Sequence, residues 1–340
     1  MDTGDPTAAI AAFYDDFGRR WAHGTSPLYE DWALGIARDP ELLARLAALP
    51  RAKQQPNLVF ASARWEGAAM SPYHAVRPWL LEHWDRIVAT GADRTVQTNE
   101  ANRCATWLPP LSGIDGPIAL LEVGAAAGLC LFPDRYSVEY ATPAGVQKVD
   151  PPDGPSDVML TCTVDDEASV PERYPDVVWR RGIDLDPIDV SDADAVDWLA
   201  NLIWPGPDHD ARVARLRTAA AIAASDPPEI VRGDLLERVT DVAAAAPPDA
   251  TLVVFHSAVL LYLDSAERRR FADIMAGLGA ATGRRVVWLS NETMGTLDEI
   301  DAQVPPGTPT DHRFVQTWDA RPIALAGQHG ALYETAAFRS

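Results

Sequence analysis

The sequence predicts an α/β protein, a mostly parallel sheet with an antiparallel C-terminal edge, preceded by an all-helical region. Two observations predict it. Before residue 116 apolar residues recur every three or four positions, the spacing of one helix face. After Gly116 short apolar runs alternate with helical segments, the pattern of buried parallel strands joined by crossovers. The length of 340 residues allows about two domains at roughly 150 residues each. The division is placed at 1–116 and 117–340, with an insertion over about 137–176.

In the helical part, Ile10, Phe13, Tyr14, Phe17 and Trp21 share one face of a helix over Ala8–Trp21. Asp39 is the candidate cap of the next, with Pro40 at its first position, Leu42, Leu43, Leu46 and Leu49 as its stripe and Pro50 as its end. A further helix is expected over about His74–Val88, stopped by Gly91, and another over about Gln97–Leu108, stopped by Pro109-Pro110. The six tryptophans of this half (Trp21, Trp32, Trp65, Trp79, Trp84 and Trp107) suit core packing first and an aromatic ligand pocket second.

Strands are expected at Ile118–Val123, Val177–Leu185, Glu229–Val231, Thr251–Phe255 and Arg285–Leu289. Asp264 and Glu267 form a capping box for a helix that carries Phe271, Ile274, Met275 and Leu278 inward and closes at Gly279 and Gly283. Pro143–Pro175, rich in Pro and Asp around the apolar stretch Val158–Val164, reads as an inserted flap. Arg313–Ala336 reads as antiparallel edge strands.

Composition bounds the function. Lys plus Arg is 29 and Asp plus Glu is 49, a net charge of −20. Nucleic acids and anionic membranes are bound through Lys and Arg, so neither is an expected partner. Cys104, Cys130 and Cys162 form no C-x-x-C pair, which excludes a disulfide scaffold or zinc ribbon and fits a reducing cytosol. The start at Met1–Pro6 has no basic n-region, and no run of 18 apolar residues occurs. A cytoplasmic monomer or homodimer with a small-molecule substrate is expected. The seven histidines are scattered, so no metal site is expected.

The most informative string is Leu121-Glu122-Val123-Gly124-Ala125-Ala126-Ala127-Gly128. A buried strand ends in an acid, and a turn of small residues leads into what reads as a helix. Gly124 permits a sharp turn, Ala125–Ala127 permit close approach of a ligand, and Gly128 permits close packing of the helix, whose N-terminus offers free N–H groups. The string resembles the first motif of class I S-adenosylmethionine (SAM) dependent methyltransferases, acidic-x-Gly-x-Gly-x-Gly, with Ala126 in place of the middle glycine. The resemblance implies a Rossmann-like fold and SAM as cofactor. It also implies that Asp184, at the end of the second strand, accepts from the ribose hydroxyls, with Asp186 and Asp189 as rivals. Gly233-Asp234 would meet the adenine amino group, or Asp234 caps the following helix. His256-Ser257 would lie beside the methyl group. Arg103 would pair with the methionine carboxylate, or with Glu100.

The chain is further identified as a member of the uncharacterised bacterial domain-of-unknown-function 2332 family, regarded as methyltransferase-like. The marks are Ser26-Pro27-Leu28-Tyr29, Gln55-Pro56-Asn57-Leu58, Gln97-Thr98-Asn99-Glu100 with Arg103-Cys104, Asp134-Arg135-Tyr136, Arg181-Gly182-Ile183-Asp184 and Leu202-Ile203-Trp204-Pro205, besides the strand-end motifs. Ala126 and Cys130 stand where the family tends to have Ser and Asn, and Arg64-Trp65-Glu66-Gly67 where it is Leu-rich.

The expected activity is methyl transfer to a small O- or N-acceptor. His256 is the candidate base because its ordinary pKa, about 6.5, suits neutral pH; the alternative is a structural histidine. Tyr262 and Glu292 complete the candidate catalytic set, Glu292 as holder of a cationic group or as a loop carboxylate. Cofactor binding is assigned to Arg103, Glu122, Gly124, Ala125, Gly128, Asp184, Gly233, Asp234 and Ser257, with residues 1–110 and the insertion as a lid. The alternatives are a SAM-using lyase or cyclase of the aminobutyrate arm, and a SAM- or nucleotide-binding protein without chemistry.

Overall fold

The computed structural model describes residues 6–339; the start at Met1–Asp5, read for signal features, lies outside them. The first helix is Pro6–Asp16, continued by a π-helical turn at Phe17–Ala22. Caps followed by proline set the next helix starts. Ser26 accepts the Tyr29 N–H and Pro27 opens helix Pro27–Ile36; Asp39 accepts the Glu41 and Leu42 N–H groups and Pro40 opens helix Pro40–Ala47. Helix Pro56–Trp65 also begins on proline. The stretch expected as one helix is two, Tyr73–Glu82 and Trp84–Asp93. His83 leaves the helical region between them and stacks its ring on Trp79, centroids 4.2 Å apart. Gly91 does not stop the second helix but lies within it, close to Ser62 and Leu58.

Two compact units emerge: residues 1–98 with 192–217, and residues 99–191 with 218–340. In the first, Tyr29, Trp32, Phe60, Phe17 and Trp204 form an aromatic core, with Phe60 4.9 Å from Tyr29 and 5.6 Å from Trp32 between ring centroids. Trp32 and Trp84 are buried core residues, whereas Trp21 is exposed.

The second unit carries an 11-stranded sheet. Its strands are β1 (Pro117–Val123), β2 (Ser137–Thr142), β3 (Gly145–Val149), β4 (Met159–Val164), β5 (Asp176–Asp184), β6 (Glu229–Arg232), β7 (Thr251–Ser257), β8 (Val286–Glu292), β9 (Arg313–Trp318), β10 (Arg321–Gly327) and β11 (Leu332–Glu334). They run in the order β3-β2-β4-β11-β10-β9-β8-β7-β1-β5-β6. The block β6-β5-β1-β7-β8 is parallel, and the chain builds outward from β1 first on one side and then on the other. That reversal at β1 is the feature that opens a crevice in wound α/β sheets.

Three expectations change. β9, β10 and β11 are antiparallel as read, but they lie inside the sheet, because β11 pairs in parallel with β4 (Leu332 with Thr163). The insertion expected over about 137–176, with the flap read inside it, supplies β3, β2 and β4, which form that edge of the sheet; in β4 buried positions alternate with exposed ones, as a strand on a covered face requires. Pro109 and Pro110 do not stop their helix, which runs over Cys104–Ser112. They lack the N–H groups that would bond the carbonyls of Ala105 and Thr106. Those carbonyls accept instead from the Tyr140 hydroxyl at 2.8 Å and Gln316 Nε2 at 2.9 Å.

The register assigns the two faces. Ala119, Leu121, Val123, Leu252, Val254 and Trp288 share an apolar core with Phe271, Met275 and Leu278 of helix Ser265–Thr282 and with Leu236 and Val239 of helix Leu235–Ala244. Glu122, Phe255, Ser257, Asn291 and Gln316 therefore face the other way, where Trp107 of helix Cys104–Ser112 packs on Phe255.

Asp39 offers a test of the helical unit. Burial alone would raise its carboxyl, but hydrogen bonds from Arg77, the Tyr73 hydroxyl (2.6 Å) and the Leu42 N–H outweigh that and lower it from 3.8 to about 2. A depressed pKa stabilises the fold above the unfolded value, and that share is lost as pH falls from about 4 through 2. Asp39→Asn should cost about 2 kcal/mol at pH 7, with the gap to the parent closing near pH 2, read by urea denaturation. A gap independent of pH would contradict this account.

Candidate functional site

β1 ends in Glu122 and Val123, and Gly124 turns the chain with φ at 73°. A Cβ at Gly124 would run into Val259 Cγ2, so the position excludes every larger residue. Ala126 is also left-handed, with φ at 48°, where the resemblance places a glycine. Beyond Gly128 the chain departs from expectation: no α-helix succeeds it, only the short 3₁₀ turns Leu129–Leu131 and Pro133–Arg135. The helix N-terminus read there as a ligand cradle is absent.

The turn's own N–H groups are already satisfied. Gly124 and Ala125 donate to the Ile183 carbonyl (2.8 and 3.1 Å), Ala126 to Asp184 Oδ2 (2.8 Å), Ala127 to Asn99 Oδ1 (2.8 Å) and Gly128 to the Ala125 carbonyl (2.6 Å). Asp184 Oδ1 accepts the Asp186 N–H, so this carboxylate first holds the turn together. Gly233 N–H donates to the Asp184 carbonyl, and Asp234 caps helix Leu235–Ala244 through the Leu236 N–H (2.7 Å), the second of the two readings.

The side chains on the face of Glu122 are different. Glu122 is 7% exposed, and its Oε2 has no hydrogen-bond partner among the described residues. The same holds for Asn99 Nδ2, Ser257 Oγ, Asn291 Nδ2 and Gln316 Oε1. The register sets Glu122, Ser257, Asn291 and Gln316 on one face of β1, β7, β8 and β9, and Asn99 lies beside the turn. Arg103 reaches the same strand ends: Nε donates to the Gln328 carbonyl (2.9 Å), Nη1 to that of Ser257 (3.5 Å), and its guanidinium lies 5.5 Å from the Phe314 ring centre. Nη2 makes no hydrogen bond among the described residues. Burial pushes the Glu122 carboxyl well above the usual range; the Cys130 thiol adds to this, Arg103 opposes it and Asp184 adds again. A buried carboxyl left without a partner costs stability, and such groups concentrate where ligands bind.

The candidate catalytic residues divide. His256 is fully buried on the opposite face. The Trp288 indole N–H, which can only donate, points to His256 Nε2 at 3.0 Å, so Nε2 is the acceptor and Nδ1 carries the proton. Nδ1–H donates to Glu292 Oε1 at 2.8 Å. Both ring nitrogens of His256 are therefore engaged within the fold. Glu292 Oε1 also accepts the Val259 and Leu260 N–H groups (2.9 and 3.0 Å), while Oε2 has no partner among the described residues. Tyr262 is 81% exposed on its loop and stands apart from this network. Sequence reading missed Asn291, Gln316 and Trp288 as functional candidates; the strand-end polar residues Ser290-Asn291 and Gln316 in otherwise apolar runs were the available signal.

Among the described residues no helix is long and apolar enough to cross a membrane, and no group of three or more His, Cys, Asp or Glu could hold a metal ion.

A family model described as "Uncharacterized protein conserved in bacteria (DUF2332)" matches residues 11–334, and the chain belongs to that family. No curated protein and no solved structure matches it.

The electrostatics of Glu122 are open to test. A carboxyl whose folded pKa is raised contributes stability below its ordinary 4.5 and loses it as pH rises toward the folded value. Glu122→Gln should therefore be more stable than the parent at pH 8, by about 1–3 kcal/mol, and should lack the parent's decline between pH 5 and 8. Urea titrations at both pH values give the answer, and a less stable variant at pH 8 would remove the buried-charge account.

Proposed function

We propose that this member of the family is a SAM-dependent methyltransferase acting on a small molecule, with the aminobutyrate end of the cofactor at Glu122 and Arg103. The observation supporting this is the unpartnered Oε2 of buried Glu122 at the end of β1, where the strand order reverses. The residues present fit that end of SAM. Glu122 Oε2 accepts from an ammonium, Arg103 Nη2 donates to a carboxylate, and Asn99 Nδ2 and Ser257 Oγ add hydrogen bonds. The fit at the ribose is narrower. Asp184 already holds the turn, and a ribose diol would share a carboxylate that two backbone N–H groups occupy.

Bound SAM supplies an activated methyl group, so the chain's task is alignment and, for O–H or N–H acceptors, removal of a proton. Glu292 suits that task better than His256. Three donors fix its Oε1, and Oε2 is left for a proton or a cationic group of the acceptor. The engaged ring of His256 also favours a second reading, a SAM-using lyase or cyclase that needs no histidine base.

Calorimetry with SAM and with S-adenosylhomocysteine tests the common premise; no binding below about 1 mM by either removes both readings. An ammonium beside Glu122 lowers the pKa that burial raised, so binding should release a proton, seen as a heat that varies with the buffer's ionisation enthalpy. Glu122→Gln should lose that dependence, and Arg103→Ala should weaken binding about tenfold. Mass spectrometry then separates the reactions: S-adenosylhomocysteine that forms only with an acceptor indicates methyl transfer, and methylthioadenosine formed from SAM alone indicates the lyase.

A further inference from the structure

Two thiols without a role in this chemistry face each other beside Glu122. Cys104 begins its helix directly after Arg103, and Cys130 lies in the 3₁₀ turn that follows Gly128. Cys104 is 1% and Cys130 8% exposed. Cys104 Sγ is 3.6 Å from the Cys130 carbonyl oxygen and 4.0 Å from that of Leu129, and Cys130 Sγ is 3.5 Å from that of Glu100. Glu100 stands four residues before Cys104, so each sulfur lies against the backbone beside the other cysteine.

Their environments differ. The Cys104 thiol lowers the Cys130 pKa, burial opposes that, and Arg103 lowers it further. Burial, with the Cys130 thiol, raises Cys104. An attacking thiol beside a resolving thiol is the arrangement that exchanges with disulfides. Cys162, in β4, pairs with neither, and burial pushes it up to about 12.

We propose that Cys104 and Cys130 are a redox-active dithiol, oxidised by low-molecular-weight disulfides, whose closure weakens ligand binding at Glu122 and Arg103. The Cys130 thiolate attacks one sulfur of the small disulfide, whose S–S bond breaks and releases one thiolate. Cys104 then loses its proton and attacks Cys130 Sγ, a protein S–S bond forms and the second small thiolate leaves. The protein loses two electrons and two protons, and the small disulfide becomes two thiols. An S–S bond of about 2.05 Å is shorter than any contact between unlinked thiols, so closure draws the helix start toward the 3₁₀ turn. Arg103 moves with that start, away from the Ser257 and Gln328 carbonyls that now orient it. The effect on affinity rests on the proposed ligand site; the dithiol chemistry does not.

The experiment treats the folded full chain with glutathione disulfide, alkylates the free thiols and maps the peptides. The expected result is a Cys104–Cys130 link that dithiothreitol reverses, with Cys162 alkylated. Cys104→Ser, and Cys104→Ala as a second variant, should trap glutathione on Cys130, whereas Cys130→Ser should show neither adduct nor link. Three free thiols after treatment, a link or adduct at Cys162, or an unresolved adduct on Cys130 of the parent would each overturn the proposal. SAM calorimetry on both forms follows, with affinity expected to be at least tenfold weaker after oxidation. Equal affinities overturn the control of binding. If the reduced protein fails to bind SAM, the functional reading and the affinity effect fall together, and the mapped link still decides the dithiol.

Discussion

Five backbone N–H groups between Gly124 and Gly128 need acceptors, and no α-helix follows to orient them outward. The rest of the second unit is arranged around that need. The Ile183 carbonyl and the Asp184 carboxylate come from the end of β5, and the Asn99 side chain comes from the segment before helix Cys104–Ser112. The turn therefore locks the end of β1 to two pieces of chain far away in sequence. Arg103, Asn99 and the thiols are held near Glu122 as a result. Gly124 and Gly182 supply the space, since a Cβ at the first would strike Val259 and one at the second would lie 2.5 Å from that of Ala125.

Saturation of the backbone moves recognition from the main chain to side chains. A helix N-terminus offers N–H groups to an anion, as in many nucleotide sites. Here the turn is a closed unit, and the unsatisfied atoms are the carboxyl, amide and hydroxyl groups on one face of four adjacent strands. On the opposite face the hydrogen bonds run from Trp288 through His256 to Glu292 and on to the Val259 and Leu260 N–H groups. That chain fixes the loop after β7, which is the loop that covers Gly124. One face is thus rich in unmade bonds, whereas the other spends its polar groups on rigidity and leaves Glu292 Oε2 open.

Local structure was largely legible in the sequence. The runs at Ile118–Val123 and Thr251–Phe255 are buried on both faces and became central parallel strands, whereas Val177–Leu185, which carries Arg180 and Arg181, is only partly buried and lies one strand from the edge. Asp39-Pro40 and the Asp264–Glu267 box became caps because an Asp carboxylate at that position accepts the free N–H groups of the first turn. Pairing between distant segments was not legible. Val158–Val164 reads only as an apolar stretch within an inserted flap, and nothing in it names β11 as its neighbour. The Ala-rich string after Gly124 has helical composition, yet Gly128 is left-handed and the chain turns away. Pro109 and Pro110 misled for the same reason, since the donors that rescue the freed carbonyls come from β2 and β9. Of the candidate site, Glu122, Asp184 and Glu292 were visible as acids at strand ends, whereas the tautomer of His256 depends on a tryptophan of the neighbouring strand.

The three strands β2, β3 and β4 meet the remainder of the sheet through a short seam, Leu332 and Tyr333 of β11 against Thr163 and Val164 of β4. β11 is the last strand among the described residues. A nascent polypeptide must therefore carry β4 with an open, half-apolar edge through the synthesis of nearly every later element. Sheets closed by such distant partners form late, because the loop entropy is spent before the contacts return it. Folding of this unit thus waits for β11, and a chain that has not yet placed it presents two unpaired strand margins, on β4 and on β10, to whatever chain lies nearest.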